Sequence, residues 1–455
     1  MRKITIIITA ICTIAIKSYA QQPPRDSILN LSLQDCINYA YEHQDSVMNA
    51  KLDVKSAEYK VKETIGQGLP QVNGAISFQD YLRPPASLAP AGIFSTPPHI
   101  NFNGPLAPLP FGALNYNNTF SLQATQLLFS GTFIVGLQAV KTFKELSQRS
   151  LVRTKIETNV SVSKAYYQVL VSNEQIKLLD ANISQLKEQL AQTTQQNKQG
   201  FVEKIDVDRL SVQYNNLVTS RENTVRLLTL NYQMLKFQMG MSIYQHINLT
   251  DKLDDIKLDD QLAQNALDTS FYHNRIEYNL LETNIKLNQL DVKGKKAEFL
   301  PTFTANGGFA GVYQENHFRY LYDHVYANNY IGVSLNVPIF SGGQRINQLR
   351  QLEVNVQKAQ NNLNDAKNAL SLQASSANIT YVNSLQSLNN QKKSRELAQE
   401  VLHVAKVKYQ QGVGSSLEVT QAETDFENAD NQYIQALYNV LISKVDLDKA
   451  YGRIK

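Results

Sequence analysis

Tyr330-Ile331-Gly332-Val333-Ser334-Leu335-Asn336-Val337-Pro338-Ile339-Phe340-Ser341-Gly342 is the stretch on which the fold of this chain turns. Ile331, Val333, Leu335, Val337 and Ile339 fall on one side of an extended backbone, with Tyr330, Gly332, Ser334 and Asn336 on the other. Beyond Gly343 the alternation stops. Leu349, Leu352, Val356, Ala359, Leu363, Ala366 and Leu370 then recur in steps of three and four. A period of two that gives way to the coiled-coil period predicts a strand running straight into a long helix.

The same passage occurs earlier in the chain. Phe120, Leu122 and Ala124 alternate with Ser121, Gln123 and Thr125, then Leu128-Phe129-Ser130-Gly131 leads to a helical stripe containing Ile176, Leu179, Ile183, Leu186 and Leu190. Leu69-Pro70 is matched by Leu300-Pro301, Gln199-Gly200 by Gln411-Gly412, and Met239-Gly240 by Tyr451-Gly452. These matches divide the chain into two tandem copies, residues 21–240 and 241–455. Each holds a strand hairpin and a long helical hairpin, with strands near 70–82 and 116–129 in the first and near 301–314 and 329–340 in the second. Val72, Ile76 and Phe78 oppose Asn73, Ser77 and Gln79, while Phe303, Ala305 and Phe309 oppose Thr302, Thr304 and Asn306.

Proline and glycine mark the breaks. Eight of the 13 prolines lie between Pro84 and Pro110, in a loop spanning 83–115, and none lies between Phe111 and Leu300 or after Pro338. Between Leu137 and Lys293 the glycines are Gly200 and Gly240, and after Gly343 they are Gly412, Gly414 and Gly452. Helices free of both residues can extend for nearly seventy residues, roughly 100 Å at 1.5 Å per residue. Their reversals fall near 200 and 412.

Residues 1–20 have the form of a signal peptide: Arg2 and Lys3 precede an apolar run from Ile4 to Ile16, and Ser18-Tyr19-Ala20 offers small residues for cleavage. Cys12 lies inside that run, leaving Cys36 with no internal disulfide partner. A net charge of +4, spread along helical faces, provides no patch for nucleic acid. No later run is long and apolar enough for a transmembrane helix, whereas alternating strands can cross a bilayer with a weak hydropathy signal. The 23 tyrosines supply interfacial aromatic rings in the absence of tryptophan. Seven histidines make no pair at metal-binding helical spacing, and no nucleophile elbow, phosphate loop or CxxC motif occurs, so neither an enzyme nor a cofactor site is expected.

Four strands are too few to close a barrel, and an open edge in hydrocarbon leaves backbone groups unsatisfied at several kcal/mol each. A spanning protomer must pool its strands with other copies. The fold expected is mainly α with a membrane β-barrel: four strands per protomer and coiled-coil helices that continue as a tube.

With these features the chain resembles the TolC family of outer membrane efflux proteins. The most specific match is Tyr409-Gln410-Gln411-Gly412-Val413-Gly414-Ser415-Ser416-Leu417-Glu418-Val419, continuing to Ala422 and closing at Ala450-Tyr451-Gly452, which is similar to the family's second periplasmic hairpin. Gly200-Phe201-Val202-Glu203-Lys204-Ile205-Asp206-Val207 is similar to the first, and Phe-Ser-Gly at 129–131 and 340–342 to its strand-to-helix junctions. The resemblance implies a homotrimer with a twelve-stranded outer-membrane barrel and a periplasmic α-helical tunnel. It also implies an adaptor and an inner-membrane pump of RND, ABC or MFS type, with small-molecule efflux by passive conduction. A type I protein secretion outlet is the alternative within the family, and a soluble periplasmic coiled-coil scaffold or adaptor the alternative outside it.

By the same resemblance Glu418, Asp206 and Tyr409 are aperture candidates, and Gly200, Phe201, Val202, Gly412, Val413, Gly414 and Leu417 are adaptor-docking candidates. Ser415 and Glu418 are also spaced as a helix capping box. Gly414 stands where the family can carry an arginine clasp, and Gln421 where it can carry a second acidic ring residue.

Overall fold

The computed structural model describes residues 29–84, 88–90, 106–108, 114–253 and 271–454. The signal-peptide expectation for 1–20, including Cys12, and most of the Pro-rich loop lie outside these residues. In chain order the elements are β1 (Leu29–Leu31), α1 (Leu33–His43), α2 (Asp45–Gln67), β2 (Gln71–Asp80), β3 (Leu88–Pro90), β4 (Leu106–Pro108), β5 (Tyr116–Phe129), α3 (Gly131–Lys198), α4 (Lys204–Met239), β6 (Ile247–Leu249), α5 (Ile276–Ala297), β7 (Thr302–Glu315), β8 (Tyr326–Asn336), α6 (Gln344–Gln410) and α7 (Ser416–Ala450). α3 and α6 have 68 and 67 residues. Among the described residues, no helix is long and apolar enough to cross a membrane.

Two compact units emerge, and neither coincides with the expected copies 21–240 and 241–455. One comprises Lys51–Leu151 and Ile276–Asn368, and the other Met1–Ala50, Val152–Arg275 and Ala369–Lys455. Each draws on both copies, because strands of different copies pair with one another and helices of different copies pack together.

The first unit is organised by a four-stranded antiparallel sheet in the order β2-β5-β7-β8. The central pairing, β5 with β7, joins the two copies. The register sets Ile76 opposite Phe120, Leu122 opposite Phe309, Gly307 opposite Ile331 and Ala305 opposite Val333. One face of all four strands is therefore apolar. Its side chains are uncovered in the protomer: Ile76 is 74% exposed and Ile331 95%. The opposite face carries Gln123, Thr125, Asn306 and Ser334, and Asn306 Nδ2 donates to Ser334 Oγ at 3.0 Å. β2 and β8 are the edges.

The last strand departs from the sequence expectation at both ends. It spans Tyr326–Asn336 instead of 329–340, so Val337 and Ile339 lie outside it. Pro338 has no N–H for the ladder and restricts the residue before it, which explains the early stop. The two strand-to-helix junctions also differ. Ser130 Oγ accepts a hydrogen bond from Phe133 N at 3.2 Å, and α3 starts at once. In the second copy Gly342 and Gly343, at φ of 60° and 80°, form a turn before α6 begins at Gln344.

The second unit is a helical bundle. Cys36, Ile37 and Ala40 of α1 pack with Tyr166 and Val169 of α3 and with Leu235 and Met239 of α4. β1 and β6, a short parallel pair absent from the sequence expectation, flank this cluster. Burial pushes the Cys36 thiol up to about 12, which keeps it inert. Leu179 and Leu186 of α3 meet Leu210 and Leu217 of α4, while Leu402 and Ala405 of α6 meet Val419 and Ala422 of α7. The three-four spacing of the sequence thus becomes the seam of each helical hairpin.

Candidate functional site

Both reversals lie in the helical unit and are closed by the same backbone device. After α3, Gly200 adopts φ +80°, and Phe201 N donates to Gln196 O at 2.9 Å. After α6, Gly412 adopts φ +76°, and Val413 N donates to Lys408 O at 3.1 Å. Only glycine takes this left-handed conformation without strain, so each copy needs one at that point.

Beyond the two glycines the turns diverge. Ser415 caps α7, its Oγ accepting from Glu418 N at 3.1 Å, which makes one half of the expected capping box. Glu203 occupies the equivalent place before α4 and makes no side-chain cap. Gly414 N donates to Lys408 O at 3.1 Å, and a Cβ added there would sit 3.0 Å from Tyr409 N. A bulkier residue at 414 would require this turn to move.

Phe201 and Val413 project from the tips, 78% and 79% exposed, and Leu417 is also exposed. Val202 is half-buried, and its backbone carbonyl accepts from Asn197 Nδ2 at 2.8 Å. A groove of about 630 Å³ between the tips is lined by Gln192, Phe201, Val202, Tyr409, Gly412 and Gly414 among others. Five of the residues singled out in the sequence, Phe201, Val202, Tyr409, Gly412 and Gly414, are thus brought to one groove from the ends of two hairpins.

The aperture candidates separate. Asp206, in the first turn of α4, pairs with Arg209 at 3.7 Å and is largely shielded from solvent. Tyr409 packs beside the Leu402, Ala405, Val419 and Ala422 cluster, and its Oη has no hydrogen-bond partner. Burial first, then the nearby Asp206 carboxylate, raises the Tyr409 phenol, so it stays neutral. The two hairpins approach each other there without a formed polar link. Glu418 is exposed and lines another groove, about 480 Å³, with Leu397, Val401, Val404, Gln421 and Asp425. Gln421 Nε2 donates to Asp425 Oδ1 at 3.0 Å within this groove.

Sequence reading missed a polar column higher on α7. Glu423, Glu427 and Asp430 are set in a four-three step along the helix and turn toward the other helices. Glu423 pairs with Lys406 of α6 at 3.0 Å, Glu427 accepts from Gln213 Nε2 of α4 at 3.2 Å, and Asp430 pairs with Arg395 of α6. Asn182 Nδ2 of α3 also donates to Asp430 at 3.4 Å. The acids sit at coiled-coil spacing, which is the signal of their inward placement that the sequence carries. Among the described residues no group of His, Cys, Asp or Glu is arranged to hold a metal.

The family model of the outer membrane efflux protein matches residues 36–233 and 281–453. The chain is 24% identical over 304 residues to outer membrane protein TolC of Escherichia coli strain K12, covering 65% of this chain and 61% of that protein. It therefore spans less than two thirds of that relative's length. A crystal structure of CusC superposes with a TM-score of 0.74 at 15% identity, covering 96% of this chain and 95% of the other. The outer membrane protein VceC of Vibrio cholerae superposes with a TM-score of 0.70 at 16% identity, over 92% and 96% of the two chains. At these identities the structural likeness speaks for the fold.

Proposed function

This chain belongs to the outer membrane efflux protein family, and from that premise we propose that it is the outer-membrane channel of a tripartite efflux system. Three copies, each giving four strands, close a twelve-stranded barrel, and their helices continue as a periplasmic tunnel. Small molecules pass passively, delivered by a periplasmic adaptor and an inner-membrane pump of RND, ABC or MFS type. The chain is organised as two tandem copies, 21–240 and 241–455, each ending its helical hairpin in a docking tip.

One observation carries this reading. The four-stranded sheet has a continuous apolar face, open to solvent in the protomer, and two open edges in β2 and β8. A soluble scaffold would lose free energy by leaving Ile76, Ile331 and Val333 in water, at roughly 25 cal/mol per Å² of apolar surface. Lipid covers the face, and pairing β8 of one copy with β2 of the next satisfies both edges. The Asn- and Thr-bearing face then lines an aqueous lumen.

Within the helical tunnel, the Gly200 and Gly412 tips, with Phe201, Val202, Val413, Gly414 and Leu417, form the adaptor contact. Glu418, Asp206 and Tyr409 surround the periplasmic aperture. Gly414 cannot supply an arginine clasp, so hairpin packing holds the aperture. Native mass spectrometry of protein extracted in detergent from a separated outer-membrane fraction tests the assembly. A trimer is expected, and a monomer recovered from the soluble periplasm would overturn the channel reading in favour of a coiled-coil scaffold.

A further inference from the structure

We propose that Glu423 of α7 and Gln213 of α4 form a proton-binding site that fastens the second helical hairpin to the first. The site is a small space of about 20 Å³, open on one side, lined by Asn182, Gln185, Gln213, Lys406, Glu423 and Glu427, with apolar walls from Leu186, Leu402 and Phe426. That volume admits one water molecule at most. Two acceptor atoms buried along it have no hydrogen-bond partner: Glu423 Oε2 and Gln213 Oε1. Glu423 itself is only 5% exposed.

Two buried orphan acceptors on residues that line one small space call for a donor there, since an unsatisfied buried polar atom costs about 1–3 kcal/mol. The Gln213 amide cannot turn round to provide it without loss, because its Nε2 already donates to Glu427 Oε1 at 3.2 Å. Lys406 is committed to Glu423 Oε1 at 3.0 Å. A proton on Glu423 Oε2 satisfies both atoms: the carboxyl O–H donates to Gln213 Oε1, directly or through one water. The bond formed links α7 to α4, and so joins the two hairpins.

Burial, not the surrounding charge, carries this assignment. Lys406 of α6 and a side-chain hydrogen bond from Gln189 of α3 both favour the ionised form, while Glu427 of α7, Gln185 of α3 and Gln213 of α4 line the same space and Asp430 lies further along α7. Burial outweighs Lys406 and raises Glu423 above the usual carboxylate range. Glu427 is raised likewise, by burial and by the charges of Glu423 and Asp430. A group raised on folding contributes stability that is complete at low pH and is lost as pH rises through its folded value. The seam is tightest in acid and loosens toward alkaline pH.

The site can be read without any conduction measurement, so its failure is separable from failure of the channel assignment. Infrared spectra of the purified full-length protein in detergent are recorded from about pH 5 to about pH 8, above the ordinary glutamate range. The expected result is a protonated-carboxyl band that fades with rising pH and is lost in Glu423→Gln. In Gln213→Leu the same band moves to higher wavenumber, because the O–H has lost its acceptor. Spin labels at the exposed positions Ser184 of α3 and Asn428 of α7, in a Cys36→Ser background, should report a narrow separation in acid that broadens with pH, and a pH-independent one in Glu423→Gln. A band that persists in Glu423→Gln, or wild-type protein with no titrating band, would overturn the proposal and leave Glu423 as an ordinary ion-pair partner. Should Glu423→Gln misfold, the wild-type titration together with the Gln213→Leu band position decides.

Discussion

The two helical hairpins share one topology and are joined by different chemistry. α3 and α4 close on Leu179, Leu186, Leu210 and Leu217. α6 and α7 close on an apolar cluster near the tip and on a larger one in which Ala374, Tyr381 and Leu388 meet Ala436, Val440 and Leu447, and they add the buried ion pairs Lys406 with Glu423 and Arg395 with Asp430. The first hairpin has an ion pair too, Arg221 of α4 with Asp180 of α3, but both side chains lie in solvent, where such a pair is worth little. The second holds Glu423 and Asp430 out of water, so its balance depends also on protonation and on every partner being present. The two hairpins thus share a backbone plan and differ in whether the acids on it are solvated or buried.

The contrast can be broken most severely at Asp430. Asp430→Ala strands Arg395 without its carboxylate and should destabilise the helical unit by about 3–5 kcal/mol. Leu217→Ala in the first hairpin should cost about 2–5 kcal/mol. Thermal melting of the helical signal in detergent measures both, and the comparison sharpens with pH. The Leu217→Ala deficit should be the same in acid and at neutral pH. Wild-type melting should itself fall as pH rises, since Glu423 and Glu427 are raised on folding, and Glu423→Gln should flatten that slope. Equal pH slopes in wild type and Glu423→Gln would erase the distinction between the hairpins.

A control lies outside both hairpins. Val333→Lys places a charge on the apolar sheet face and should cost about 2–4 kcal/mol at a bilayer midplane. Outer-membrane yield should drop while hairpin melting is unchanged, and normal insertion would refute the lipid-face assignment. A smaller effect separates the tips. Ser415→Ala should cost about 1 kcal/mol through the lost cap, whereas Glu203→Ser should gain a fraction of that by supplying one. The least thermodynamic effect belongs to Glu418→Gln: the carboxylate is exposed, so melting should hold, while cation preference in bilayer recordings falls if Glu418 faces the aperture. Unchanged selectivity would leave Glu418 as a residue of the first helical turn only.

The long elements were legible because their signals are local and repeated. A stripe of three-four steps without proline or glycine can only be a long helix, and Gly200 and Gly412 stand where a left-handed residue is required. The Glu423, Glu427 and Asp430 column escaped notice for a physical reason. An acid on a helix is ordinarily solvated, and only knowledge of Lys406, Arg395, Asn182 and Gln213 reveals that these three are enclosed.

The sequence by itself determined the periods and the breaks, since these arise from backbone sterics and from side-chain spacing along one chain. The tertiary structure decided that β5 of the first copy pairs with β7 of the second, which aligns four separate alternations into one apolar face. It also decided that Pro338 ends the last strand early, and that Glu423 and Gln213 line the same small space. Pairing and enclosure depend on which distant segments meet, and that is settled by packing rather than by any spacing along the chain.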